Sequence, residues 1–321
     1  MVPAVVGVAG PTLAAEEAAL LRRFRPAGVI LFSRNIEDPA QVSALTGALR
    51  EVLPGHAVIA VDQEGGRVAR LRPPHWGAHP AAGALADARA AWITGALIGR
   101  DSAAVGIDVV CAPVLDLCIP GAHGVIGDRA FAGGPEEVAR MGAAMAAGLL
   151  AAGVQPVAKH APGHGRALVD SHLGLPVVGA EQALDDDVLA FALCAGAVPW
   201  MMTAHILYQG LDAEWPGTLS PVVIRDVIRG RIGFSGVLVT DDLNMQALSG
   251  RPGERAARAL AAGCDIALHC SGVLGESAEV LEACPAIPDR TLTRLAAARE
   301  MAEGARVSLD AAALMAERGL S

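Results

Sequence analysis

The sequence predicts a (β/α)8 barrel, and three observations carry the prediction. Short, continuously apolar runs recur eight times along 321 residues. Ala-rich stretches of helical character separate them, and charged residues sit repeatedly at the C-terminal ends of the runs. Barrels often reach this length as one domain, and no repeat, low-complexity tract or linker divides the chain, so residues 1–321 are read as a single domain. A doubly wound open sheet shows the same alternation, and only closure of the sheet separates the two.

Strands are expected at 5–10 (VVGVAG), 28–33 (GVILFS), 57–63 (AVIAVDQ) and 107–114 (IDVVCAPV). Four more follow at 154–160 (VQPVAKH), 197–204 (AVPWMMTA), 236–242 (GVLVTDD) and 264–270 (CDIALHC). Runs with no polar alternation suit parallel strands covered on both faces. Helices are expected at 39–53 behind an Asp38 N-cap, at 81–99, and at 135–150, where Pro135 precedes two glutamates. Residues 183–195, 221–229, 254–262 and 290–303 complete the alternation. The uncharged stretch at 141–158 raises the question of a membrane span, but Gly153 and Pro156 divide it into a buried helix and a strand.

Only 18% of residues are charged and the chain is rich in Ala and Gly, which excludes disorder and implies a substantial core. A net charge of −9 argues against nucleic-acid and anionic-membrane partners. The start of the chain has no basic leader pattern and reads as a first strand. The six scattered cysteines form no C-x-x-C and are expected to be buried thiols of a reducing, cytoplasmic setting. A monomer without stable membrane association is expected.

The polar strand ends define the candidate chemistry. In VDQEGGRVARLR, Asp62 ends the third strand and reads as a carboxylate for paired ligand hydroxyls, with Arg70 adding donors; an acidic turn before a polar helix is the plainer reading. Arg129 in GDRAF offers a guanidinium fork to a ligand oxygen or a carboxylate, or a surface salt bridge. LVTDDLNM places Asp241 and Asp242 after a buried strand. In extended chain only one would face a barrel mouth, leaving Asp241 as nucleophile or base and Asp242 as a cap, unless both merely shape the turn. Lys159 and His160 end the fifth strand, and His205 follows the sixth. His160 and His164 have the spacing of a metal pair only on a helix, which Pro162, Gly163 and Gly165 oppose, so no metal site is assigned and no cofactor is called for. In VDSH, Asp170 stands two residues before His172. A carboxylate on one imidazole nitrogen would fix the tautomer and leave the other for proton transfer, while a polar loop making local turns is the alternative.

Together, VILFSRNI, VDQEGGRVARL, APVLDL, VIGDRAF, KHAPGHG…VDSHLGLP, MTAHILYQGLD, TDDLNM and AGCDIAL resemble, in order over roughly residues 5–270, the bacterial β-N-acetylglucosaminidases of glycoside hydrolase family 3. The resemblance implies retaining hydrolysis of a small amino-sugar glycoside such as a cell-wall muropeptide fragment. By it Asp241 is the nucleophile and His172 the acid/base in a dyad with Asp170. Asp62, Arg70, Arg129, Lys159 and His160 match the positions that hold the sugar, with His205 and Met245 lining the same region. Five Phe, four Trp and one Tyr leave few stacking platforms, which suits a small substrate. One departure stands out: Arg166 and Ala167 follow GHG, where the family pattern has an acidic or hydroxylic pair. Phosphorolysis on the same site and a sugar-binding barrel without catalysis are the competing readings.

Overall fold

The computed structural model describes residues 1–119, 121, 124–167, 171, 174–181 and 183–318. All eight expected runs form parallel strands: β1 (Val2–Gly7), β2 (Pro26–Leu31), β3 (Val58–Val61), β4 (Val109–Val110) and β5 (Gln155–Ala161), then β7 (Trp200–Thr203), β9 (Val237–Val239) and β10 (Ala267–His269). The short β6 (Val177–Val178) and β8 (Leu207–Tyr208) pair with each other as a separate two-stranded sheet. The large sheet runs β10-β1-β2-β3-β4-β5-β7-β9, and a parallel bridge from Val239 to Ile266 joins its two edges. Thr240 N–H donates to the Ile266 carbonyl at 3.1 Å, and the Thr240 hydroxyl accepts the Leu268 N–H at 2.9 Å. The sheet therefore closes, and the open-sheet alternative falls.

Alternation within strands splits the core in two. Val5, Ile30, Val58, Ala60, Val109, Val157, Trp200, Met202, Val239 and Leu268 pack inside the barrel. Their neighbours Val6, Val29, Leu31, Ile59, Val61, Ala158, Met201 and Leu238 face outward into the layer beneath the helices. Both faces are dry, which is why these strands carry no polar alternation.

The helices are α1 (Ala15–Phe24), α2 (Pro39–Val52), α3 (Ala88–Ala104), α4 (Pro135–Ala151), α5 (Asp185–Cys194), α6 (Pro252–Ala262), α7 (Leu274–Ala283), α8 (Asp289–Ala305) and α9 (Ala311–Glu317). Asp38 caps α2 as expected, accepting the N–H groups of Ala40 and Gln41. The third helix starts later than its alanines suggest: Asp87 accepts the Ala90 N–H, and only there does the helix begin. The segment expected as an α-helix over 221–229 is a π-helix over Val223–Arg231. The apolar stretch at 141–158 is the end of α4 followed by β5, and among the described residues no helix is long and apolar enough to cross a membrane. All six cysteines are free, but Cys118 is exposed, a correction to the expectation that every thiol is buried.

Candidate active site

A cavity of about 220 Å³ opens at the C-terminal mouth of the barrel. Asp62, Arg70, Arg129, Lys159, His160, Asp241 and Met245 all line it, so the structure gathers these sequence-chosen residues in one place.

The wall above β3 and β5 is a network of ion pairs. Lys159 Nζ lies 2.9 Å from Asp62 Oδ1 and 2.6 Å from Glu64 Oε1, with its side chain only 3% exposed. Arg129 does use its fork on a carboxylate, meeting Glu64 through Nε and Nη2 at 2.8 Å each. Arg70 Nη2 approaches Asp62 Oδ2 at 3.4 Å. Buried Gln63 sets this loop: its amide donates to the Leu71 carbonyl and its oxygen accepts the N–H groups of Arg70 and Leu71, drawing Arg70 back towards Asp62. Burial pushes the Glu64 carboxyl up, but Lys159 and Arg129 outweigh it and bring it down to about 2. Asp62 is held below its usual range in the same way by Lys159 and Arg70. For Lys159 burial works against the charge, and the two carboxylates more than restore it.

The opposite wall carries Asp241 and Asp242. Both line the cavity, which corrects the expectation that neighbours must face opposite ways: β9 ends at Val239, so the chain is no longer a strand at these residues. Asp242 Oδ1 accepts the N–H groups of Asn244 and Cys270, the capping role expected of it. Among the described residues Asp241 accepts only the Asp242 N–H, at 2.8 Å. Burial pushes its carboxyl up, yet His160, His205, that N–H and Lys159 together hold it below the usual carboxylate range. Asp242 goes the other way, raised by burial and by the charge of Asp241.

His205 has no exposed surface. Its Nε2–H donates to the Asp242 carbonyl at 2.9 Å, so in the neutral ring Nδ1 accepts the Thr218 hydroxyl at 2.7 Å. Burial lowers its pKa, and it fixes the backbone beside Asp241 from behind the cavity wall.

The segment KHAPGHGRALVDSH divides into distinct parts. The Lys159–His160 peptide is cis, and both side chains line the cavity. The glycines of the following turn permit close approach. A Cβ on Gly165 would lie 2.0 Å from the Leu117 carbonyl oxygen, and one on Gly163 (φ +140°) would lie 2.6 Å from Cβ of Asp187. His164, 3% exposed, places Nε2 3.2 Å from the Ser171 hydroxyl. Burial and the neighbouring His160 lower its pKa to about 4, so it is neutral at pH 7. Arg166, unexplained by the sequence, donates from Nε to Asp187 Oδ2 at 2.6 Å at the start of α5. Asp170 and His172 lie outside the described residues.

Sequence reasoning missed two residues. Glu64 stands inside VDQEGGRVARLR with no role assigned to it. Asp116 lay inside the APVLDL motif with no role, yet it is fully buried, and its Oδ2 meets His160 Nδ1 at 2.6 Å. The signal was available: a carboxylate set between Val114–Leu115 and Leu117 is costly unless every lone pair is used.

Fold and site define an enzyme of the (β/α)8 barrel class, with ionised carboxylates and paired cations facing one polar cavity. Residues 3–295 match the family described as "Glycosyl hydrolase family 3 N terminal domain", and the chain belongs to that family. It is 43% identical over 283 residues to a "Beta-hexosaminidase" of Alkalilimnicola ehrlichii, covering 84% of this chain and 80% of that one. Among solved structures, NagZ from Neisseria gonorrhoeae, in complex with N-trifluoroacetyl-D-glucosamine, matches with a TM-score of 0.86 at 32% identity, over 98% of this chain and 96% of that one. A family 3 β-N-acetylglucosaminidase from Paenibacillus gives a TM-score of 0.86 at 34% identity. There the alignment takes 96% of this chain but 63% of the longer Paenibacillus chain. The protein is a glycoside hydrolase of the β-N-acetylhexosaminidase type.

Proposed function

We propose that the protein is a retaining β-N-acetylglucosaminidase that removes terminal β-linked GlcNAc from small cell-wall fragments, acting as one cytoplasmic catalytic unit. The observation that carries this reading is Asp241: a carboxylate facing the cavity, held ionised, and with no side-chain ion pair among the described residues. An ionised but uncommitted carboxylate is what a glycosyl-forming nucleophile requires.

Asp62, Arg70, Arg129, Lys159 and His160 hold the sugar hydroxyls, and Met245 packs beside them. Asp241 attacks C1 and the C1–O bond to the aglycone breaks. His172, oriented by Asp170, gives its proton to the departing oxygen. His172 then takes a proton from water, which attacks C1 of the glycosyl ester and releases Asp241 and a β-configured sugar. A histidine acid/base places no second negative charge beside the nucleophile. His205 supports the same strand end from behind. The six free thiols are in keeping with a reducing compartment.

The test is a set of aryl β-glycosides (GlcNAc, GalNAc, glucose), assayed with and without phosphate. We expect preference for the GlcNAc glycoside, with free β-GlcNAc as first product and no GlcNAc-1-phosphate. His172→Ala should spare substrates with very good leaving groups and lose those with poor ones. Equal losses on both would remove His172 from the role, and phosphate-dependent sugar phosphate would replace hydrolysis by phosphorolysis.

A further inference from the structure

Asp116 has no exposed surface and does not line the cavity, yet it organises one of the residues that does. Its Oδ1 accepts the backbone N–H groups of His160, at 3.1 Å, and His164, at 2.7 Å. Its Oδ2 lies 2.6 Å from His160 Nδ1. An ionised carboxylate only accepts, so the proton on this bond belongs to Nδ1, and Nε2 is the ring nitrogen left for a ligand. Burial would push the Asp116 carboxyl up, but His160, His164 and their N–H groups hold it below its usual range.

We infer that Asp116 is a positioning residue for sugar binding: it locks His160 with its Nδ1–H on the carboxylate, so that Nε2 is the ring nitrogen presented to a sugar hydroxyl. The lock is geometric as well as electronic. The carboxylate that orients the ring also ties the ring's own backbone and the start of the His164 turn, so ring and loop move together or not at all. The inference rests on reading His160 as a sugar-binding residue.

Asp116→Asn is the discriminating change. An asparagine oxygen can still take the two backbone N–H groups, but its NH2 then faces His160 Nδ1, which must become the acceptor and send the proton to Nε2. The experiment is 15N ring spectroscopy of the histidines combined with kinetics on an aryl β-GlcNAc. The wild type should show His160 as the Nδ1–H form, and the variant should show it as Nε2–H. In the variant kcat/KM should fall about 10- to 100-fold, the scale of one sugar hydrogen bond, and more through KM than through kcat. In a His160→Ala background the same change should cost no more than about twofold. An Nε2–H tautomer in the wild type overturns the inference without any variant. So does an undiminished loss from Asp116→Asn once His160 is gone. Failure of the wild type to act on the aryl glycoside would instead sink the functional reading, and the ring spectra would still decide the role of Asp116.

Discussion

The two walls of the cavity hold their charges in different ways. Above β3 and β5, Asp62, Glu64, Arg129 and Lys159 neutralise one another at 2.6–2.9 Å, with Arg70 a little farther off. Beyond β9, Asp241 has a backbone N–H at hydrogen-bond distance and no side-chain ion pair among the described residues, with the charge of Lys159 acting on it through space. Groups that grip a substrate gain from being fixed in advance by their neighbours, because little reorganisation remains when the ligand arrives. A nucleophile gains from the reverse. A direct ion pair would have to break as its charge is consumed, whereas a diffuse field favours the anion without occupying its lone pairs.

The comparison predicts opposite outcomes for removing one member of each wall. Asp241→Ala should cost on the order of 10⁴-fold or more in kcat on an aryl β-GlcNAc. Stability should change by less than about 1 kcal/mol, since no side-chain ion pair among the described residues is broken. Added azide should restore turnover and give the α-glycosyl azide. Full activity in this variant would dissolve the contrast altogether.

Lys159→Met is expected to act first on the fold. It leaves Asp62 and Glu64 facing each other without their shared cation, a loss of about 3–5 kcal/mol for a broken buried pair, read by urea unfolding at pH 7. The pH dependence should change with it. The Glu64 carboxyl is lowered from 4.5 to about 2, so its stabilisation is present above pH 4.5 and is lost as pH falls towards about 2. That acid-side decline should be shallower in the variant. A variant as stable as the wild type, with the same acid profile, would show that the ion pairs on this wall are decoration.

How much of this was legible in the sequence follows from what sequence patterns encode. The barrel was, because strands dry on both faces leave runs with no polar alternation, and because Asp62, Lys159 and Asp241 stand at the ends of those runs. Helices α1, α7 and α9 have no counterpart among the expected helices; in α1 and α7 the apolar residues are interleaved with charged ones in short spans that a period count does not separate from loops. Arg129 was found, but its partner Glu64 was not, because the pair spans 65 residues. The pairing of Asp116 with His160, 44 residues apart, escaped for the same reason. Local pattern identifies which residues are costly where they stand; which residue compensates them is a property of the fold.

Arg166 and Asp187 extend the comparison outside the cavity. They form an ion pair of the first wall's kind, yet one that stands at the rim of the fold's catalytic end and leaves Asp187 Oδ1, among the described residues, without a hydrogen-bond partner. Burial raises the Asp187 carboxyl to about 6 even though Arg166 pulls it down. The sign is therefore opposite to that of Glu64: the folded state holds the Asp187 proton more tightly than the unfolded chain, so this group's contribution to stability falls as pH rises from about 4 through about 6. Arg166→Ala removes what makes the anion tolerable and should destabilise by about 1–3 kcal/mol at pH 8, with Arg166 19% exposed and its partner fully buried. At pH 5 protonated Asp187 needs no cation, and the loss should shrink to a few tenths of that. Thermal melts of both proteins at the two pH values decide it. A pH-independent difference would mean that Arg166 acts through its alkyl stem, and a larger loss at pH 5 would reverse the assignment of charge at Asp187.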